Sequence, residues 1–249
     1  MTELLERLAR GEPTLSAGVL TADLLDLGRE LERLEEAGVD LVHVDVMDGV
    51  FCPGITVGAP FVKAIPDSFV CDVHLMIEEP LEKVAAFVDA GASILTFHVE
   101  ATRHPHRVLQ ALAPTGVVRG VAVNPGTPLA AVEPLLDELE LLLLLAVNPG
   151  WPGQQFLETT GDRLAAARRL IGERAVAVGV DGGITCANAA RVASLGPDVV
   201  VAGSAVFDGG DPTANARLLV DALGGGQGRR ERAGAAATTN SDSRSKETE

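Results

Sequence analysis

The chain has 249 residues, 47% of them apolar, and a formal net charge of −15 at pH 7. That is enough apolar mass for one domain of α/β-barrel size, and the negative charge argues against a nucleic-acid surface. No apolar run reaches membrane-spanning length, the charged start Met1–Gly11 is unlike a signal peptide, and Cys52, Cys71 and Cys186 show no paired spacing. The expectation is a cytoplasmic protein with no disulfide framework and no membrane or nucleic-acid partner. A small anionic ligand would then need a local positive field, such as helix N-termini supply.

In chain order, short apolar runs alternate with amphipathic segments from Leu15 to about Leu223. The runs Leu15–Leu20, Leu41–Asp45, Val70–Leu75, Ile94–His98, Val117–Val123, Leu139–Val147, Ala175–Asp181 and Asp198–Ala202 are eight candidate strands. Apolar spacing of three and four predicts helices over Asp23–Ala37, Pro80–Ala90, Pro105–Leu112, Leu129–Leu136, Glu158–Ile171, Ala187–Leu195 and Thr213–Leu223, with a shorter connection at Gly58–Ile65. Gly38, Gly91 and Gly196 each stand between a helix and the next strand, where a left-handed cap belongs. Strand-helix repetition implies parallel, buried strands, and eight such units close into a single TIM (β/α)8 barrel over residues 1–223. From 224 to 249 the chain is rich in Gly, Arg, Ala, Ser and Thr and is expected to be a disordered tail.

The chemistry begins at Leu41-Val-His-Val-Asp-Val-Met-Asp-Gly49. Strand side chains alternate with period two, so His43 and Asp45 share one face while Val42, Val44 and Val46 take the other. Asp72-Val-His74 and Val180-Asp181 repeat the pattern of a His or Asp near a strand's C-terminal end, the end on which barrels build their sites. His43, Asp45, His74 and Asp181 make an N/O donor set for one divalent transition metal, zinc, iron, manganese or cobalt; a hydrogen-bonded structural His-Asp pair is the plainer alternative. Gly150-Trp-Pro-Gly153, Gly182-Gly183 and Gly203-Ser204 follow three consecutive strands, where backbone N–H groups can hold a phosphate or merely form turns. His104 and His106 flank Pro105 and are expected in solvent, and His98 is expected as a hydrogen-bonded barrel residue.

Taken together, His43-Val-Asp-Val-Met-Asp-Gly49, Asp72-Val-His-Leu-Met76, Thr96-Phe-His-Val-Glu100, Asn148-Pro-Gly-Trp-Pro-Gly-Gln154, Val180-Asp-Gly-Gly183 and Gly203-Ser-Ala205 resemble ribulose-phosphate 3-epimerase, in order from about Leu15 to Phe207. The resemblance implies a TIM barrel, a divalent metal, and interconversion of D-ribulose 5-phosphate with D-xylulose 5-phosphate through an enediolate. It places the metal on His43, Asp45, His74 and Asp181, and the acid/base pair on Asp45 and Asp181. It places substrate and phosphate contacts at His74, Gly150, Gly153, Gly182, Gly183, Gly203 and Ser204. Met47 and Met76 match methionines near the substrate, though core packing explains them as well. Relatives of this kind commonly associate, so a homo-oligomer is expected.

Four positions depart from the family pattern. Gly18 stands where a Ser is usual, Pro152 replaces a loop Gly and removes a backbone donor, Gly54 replaces an Asn, and Leu145 stands for a third Met. Ser16, two residues before Gly18 on the same strand face, is the candidate to replace the missing hydroxyl. The alternatives are epimerisation of another ketose phosphate, such as a hexulose 6-phosphate, and a noncatalytic phosphosugar-binding barrel. Decarboxylation of a sugar-phosphate keto acid would want a lysine among the catalytic carboxylates, and no Asp-x-Lys pattern occurs at the strand ends.

Overall fold

A computed structural model describes residues 2–8, 12–151 and 153–224. Pro152 and the expected tail from 225 onward lie outside the described residues. Eight parallel strands close in sequence order: β1 (Thr14–Gly18), β2 (Leu41–Met47), β3 (Val70–Met76), β4 (Ile94–His98), β5 (Val118–Val123), β6 (Leu141–Leu145), β7 (Ala177–Asp181) and β8 (Val199–Ala202), with β8 pairing back onto β1. The helices are α1 (Thr2–Leu8), α2 (Leu27–Glu36), α3 (Ala59–Val62), α4 (Val84–Asp89), α5 (Pro105–Leu112), α6 (Thr160–Ile171), α7 (Ala189–Ser194), α8 (Ser204–Phe207) and α9 (Pro212–Ala222). The barrel expected from strand-helix alternation is therefore the observed one. Gly38, Gly91 and Gly196 all take positive φ at helix ends, as their positions predicted.

Three expectations need correction. Leu129–Leu136 forms two 3-10 turns, Leu129–Ala131 and Glu133–Leu135, and not an α-helix. Pro134 in its middle has no N–H and disfavours helical backbone at Glu133, so the four-residue ladder cannot run through. The first strand ends at Gly18, after which Val19–Thr21 turns as a 3-10 helix. Finally, α1 occupies a segment read only as charged, and its apolar side closes the base of the barrel.

Two apolar layers hold the fold. Outward residues of the strands, such as Val42, Val44, Val73, Leu95, Val121 and Val178, pack under the surrounding helices in one large cluster. Inward residues Leu41, Ile94, Val118, Leu141, Leu143, Ala177 and Val199 form a separate cluster inside the ring, with Leu8 of α1 fully buried among them and Leu4 and Leu5 beside it. The Arg7 guanidinium clamps both carboxylate oxygens of Asp40 at 2.6 Å, fixing α1 to the approach to β2. Among the described residues no helix is long and apolar enough to cross a membrane.

Leu8→Ala removes the centre of this plug and leaves a void under the ring. Urea unfolding is expected to show a loss of about 2–5 kcal/mol, whereas Leu25→Ala, at a side chain 99% exposed, should stay within about 0.5 kcal/mol.

Candidate active site

The register between β2 and β3 sets the site. His43 lies opposite Asp72, and Asp45 opposite His74, all on inward positions. Asp181 ends β7, paired with Leu145 of β6 and Val201 of β8. Ring closure thus brings residues 138 positions apart in sequence, 181 against 43, to one spot. One ligand atom from each of His43, Asp45, His74 and Asp181 lies within 4.8 Å of the others. Asp45 Oδ1 is 3.2 Å from His43 Nε2 and 3.0 Å from His74 Nδ1, and Asp181 Oδ2 is 3.6 Å from His74 Nδ1. Both imidazoles are fully buried, while the two carboxylates keep some exposure toward the cleft, 28% and 14% of their side chains.

Partners further out hold the ring nitrogens. His43 Nδ1 lies 2.7 Å from Asp72 Oδ2, which also accepts the Ser16 hydroxyl at 3.0 Å. Ser16 is fully buried in this contact and does not line the cleft, so it does not replace the hydroxyl missing at Gly18. On the other imidazole, His74 Nε2 faces His98 Nε2 at 2.9 Å, and His98 Nδ1 faces Glu100 Oε2 at 3.2 Å. His98 is thus a hydrogen-bonded barrel residue, as expected, and stands behind the donor set. His104 and His106 are exposed, also as expected.

The electrostatics of the four groups are unequal. Burial disfavours a charged His43, but Asp72 and Asp45 outweigh it and raise its pKa well above the ordinary value. Burial also works against ionised Asp45, yet the two histidines hold its carboxyl far below the usual range. Asp181 is pushed up to about 6, by burial first and then by the negative charge of Asp45. Burial lowers His98 to about 4, keeping it neutral. Two carboxylates this close, one of them resisting ionisation, with two imidazole nitrogens aimed between them, fit a divalent cation: it would stabilise both negative charges at once.

The centre opens into a cleft of about 690 Å³ at the C-terminal ends of the strands. Asp45 and Asp181 reach its floor, and Met47, Met76 and Leu145 form an apolar wall. Gly150, Gly153, Gly182, Gly183, Gly203 and Ser204 line the same cleft, so the three glycine clusters do converge on it. Gly183 has φ +70, and a Cβ there would lie 2.5 Å from the Phe156 nitrogen; only a glycine lets the two loops meet. Gly18 faces the same corner, where a Cβ would stand 3.1 Å from Gly203 Cα. Gly54 lies against Met47, and a Cβ there would stand 2.7 Å from the Met47 sulfur. Gly18 is thus a close approach to backbone, whereas the space beside Gly54 is taken by the flexible Met47 side chain. Trp151 borders the cleft and is half exposed.

Several contributors went unassigned in the sequence. Asp72 was legible in principle, since it shares the inward face with His74 by period two. Asp48 accepts N–H groups from Val50, Phe51 and Glu78 at 2.8–2.9 Å, which hold its carboxyl below the usual range against the opposing effect of burial. Thr185, Asn188 and Arg191 line the cleft from the loop after β7 and from α7. Nothing in their spacing marked them.

Fold and site define a (β/α)8 barrel with a metal-type His2Asp2 centre on the floor of its cleft and glycine-rich loops on one wall. Residues 14–207 match the ribulose-phosphate 3 epimerase family, and the chain belongs to it. It is 45% identical over 198 residues to the ribulose-phosphate 3-epimerase of Rhodobacter capsulatus, covering 79% of this chain and 86% of that one. It is 41% identical to that of Bacillus subtilis, covering 79% and 93%. Among solved structures, 3-hexulose-6-phosphate synthase from Salmonella typhimurium shares the barrel at 22% identity and a TM-score of 0.64, covering 84% of this chain and 98% of that one.

Gly183→Ala tests the loop junction. Forcing a Cβ against Phe156 is expected to lower stability by about 1–3 kcal/mol in denaturant unfolding, with the strained φ contributing.

Proposed function

We propose that this chain interconverts D-ribulose 5-phosphate and D-xylulose 5-phosphate, with Asp45 and Asp181 as the acid/base pair. Inverting C3 beside a ketone means taking its proton from one face and delivering a proton to the other, through an enediolate. Two carboxylates are needed, one for each face. The observation that carries the reading is the pairing of Asp45 and Asp181 across the cleft floor, from the non-adjacent strands β2 and β7. Their closeness supports it: ligand atoms of both carboxylates lie within 4.8 Å in one cluster, so each can act as base in one direction and as acid in the other.

His43, Asp45, His74 and Asp181 would hold one divalent ion, zinc, iron, manganese or cobalt. When bound, such an ion supplies Lewis acidity that stabilises negative charge developing on the substrate's oxygens. The phosphate goes to the loops after β6, β7 and β8, to backbone N–H groups around Gly150, Gly153, Gly182, Gly183, Gly203 and Ser204, with the Arg191 side chain of α7 lining the same cleft. His74 stands at the boundary between the metal and the sugar. Met47, Met76 and Leu145 exclude water from the carbon that exchanges its proton.

The test is solvent deuterium incorporation into D-ribulose 5-phosphate, followed by NMR. Metal-replete protein is expected to place deuterium at C3 as xylulose 5-phosphate appears, and a chelated control should not. Asp45→Asn and Asp181→Asn should each lose at least about 100-fold in rate. Absence of exchange in metal-loaded protein would overturn the substrate assignment, and a hexulose 6-phosphate would be the next ketose phosphate to assay.

A further inference from the structure

The assignment of His74 as a metal ligand, on which this inference rests, has a consequence for residues that touch neither metal nor substrate. Only Nδ1 of His74 faces Asp45 and Asp181; Nε2 points the other way, to His98. A neutral imidazole that lends Nδ1 to a cation must carry its proton on Nε2. That N–H points at His98 Nε2, 2.9 Å away, which must then be a bare acceptor. The remaining proton of neutral His98 therefore sits on Nδ1 and is donated to Glu100 Oε2 at 3.2 Å. Any other arrangement sets two N–H groups, or two lone pairs, against each other in a site where His74 and His98 are both fully buried.

We propose that His98 and Glu100 are positioning residues that lock His74 in its Nε2-protonated tautomer and so hold its Nδ1 ready for the metal. The direction of every proton in the line is set from its far end. Glu100 accepts twice: from His98 through Oε2, and from the Asn124 N–H through Oε1 at 2.8 Å. The loop after β5 that supplies this N–H is itself gripped, since Arg163 of α6 donates to the carbonyls of Asn124 and Thr127 at 3.0 and 2.9 Å. Phe51 lies against His98 with ring centroids 4.6 Å apart and closes the pair off from the loop after β2. The line thus runs from α6 through the β5 loop to a donor atom of the centre. His43, by contrast, has the shorter and more usual arrangement, one carboxylate behind one imidazole.

Long-range 1H–15N correlation spectra of histidine-labelled protein, titrated with zinc, read the tautomers directly. The chain has five histidines, so five ring patterns are to be assigned. The expected result is zinc-shifted Nδ1 with protonated Nε2 for His74, and protonated Nδ1 with bare Nε2 for His98. Competition with a chromophoric chelator supplies affinities: His98→Leu, which removes the acceptor, should bind zinc about 10–100-fold more weakly. His98→Gln, whose side-chain carbonyl can accept the same proton, should restore most of that loss. A protonated His98 Nε2 in zinc-loaded protein would overturn the proposal even if no variant folds. So would unchanged zinc affinity in folded His98→Leu, or failure of His98→Gln to restore any of the loss. Zinc that shifts neither His43 nor His74 would instead overturn the metal-centre reading beneath it.

Discussion

Two carboxylates that approach one another on the floor of a closed barrel repel, and that repulsion governs the mouth of this molecule. Asp45 can stay ionised there because two imidazoles face it; Asp181, left with less help, leans toward keeping a proton. A group of this kind is costly to bury and survives only where a proton or a cation completes it. The acidic pair, the histidines that face it and the hydrogen-bonded residues behind them are therefore one electrostatic unit, and ring closure is what assembles it. The barrel supplies rigidity that a loop-borne site would lack, since all four residues of the centre sit on strands while the glycine-rich clusters lie beyond the strand ends.

The interior of the ring is divided by function. Polar inward residues concentrate on β1 to β4 and at the end of β7: Ser16, His43, Asp45, Asp72, His74, Thr96, His98 and Asp181. Inward positions on β5, β6 and β8 are apolar or glycine: Val118, Gly120, Ala122, Leu141, Leu143, Leu145, Val199 and Val201. Chemistry therefore sits to one side, over a greasy half-floor, and the glycine-rich loops rise from the strands of the other side. The His/Asp centre and the glycine-rich loops open onto one cleft and join at the end of β7, where Asp181 is followed by Gly182 and Gly183. On the proposed function, a phosphate on this acidic chain would be held locally, by backbone N–H groups with Arg191 at the rim, and not by net charge.

The barrel was readable because each parallel strand is buried on both faces and shows as a compact apolar run. The four centre residues were readable because period two and a C-terminal position on the strand together single out inward polar groups. Where local chemistry competes with pattern, legibility failed. Pro134 sits inside a segment with helical spacing and cancels the helix. Ser16 shares a face with Gly18, yet it sits one layer deeper, where Asp72 captures its hydroxyl. The line from His74 to Glu100 depends on which ring nitrogen points where, and spacing alone carries no record of that. Arg191 reaches the cleft rim from α7, braced by Glu158 at 2.6 Å and the face of Phe156, through contacts set by tertiary packing.

The plug at the base has a bearing on the order in which the chain can be built. Leu8 is buried against inward residues of β2, β4, β5, β6, β7 and β8. No subset of early strands offers that surface, because it exists only as the floor of a finished ring. The seven-residue α1 is too short to be a stable helix alone. A helix that precedes every strand of the barrel in the chain is thus among the last elements to find its place, and its docking marks the completion of the ring.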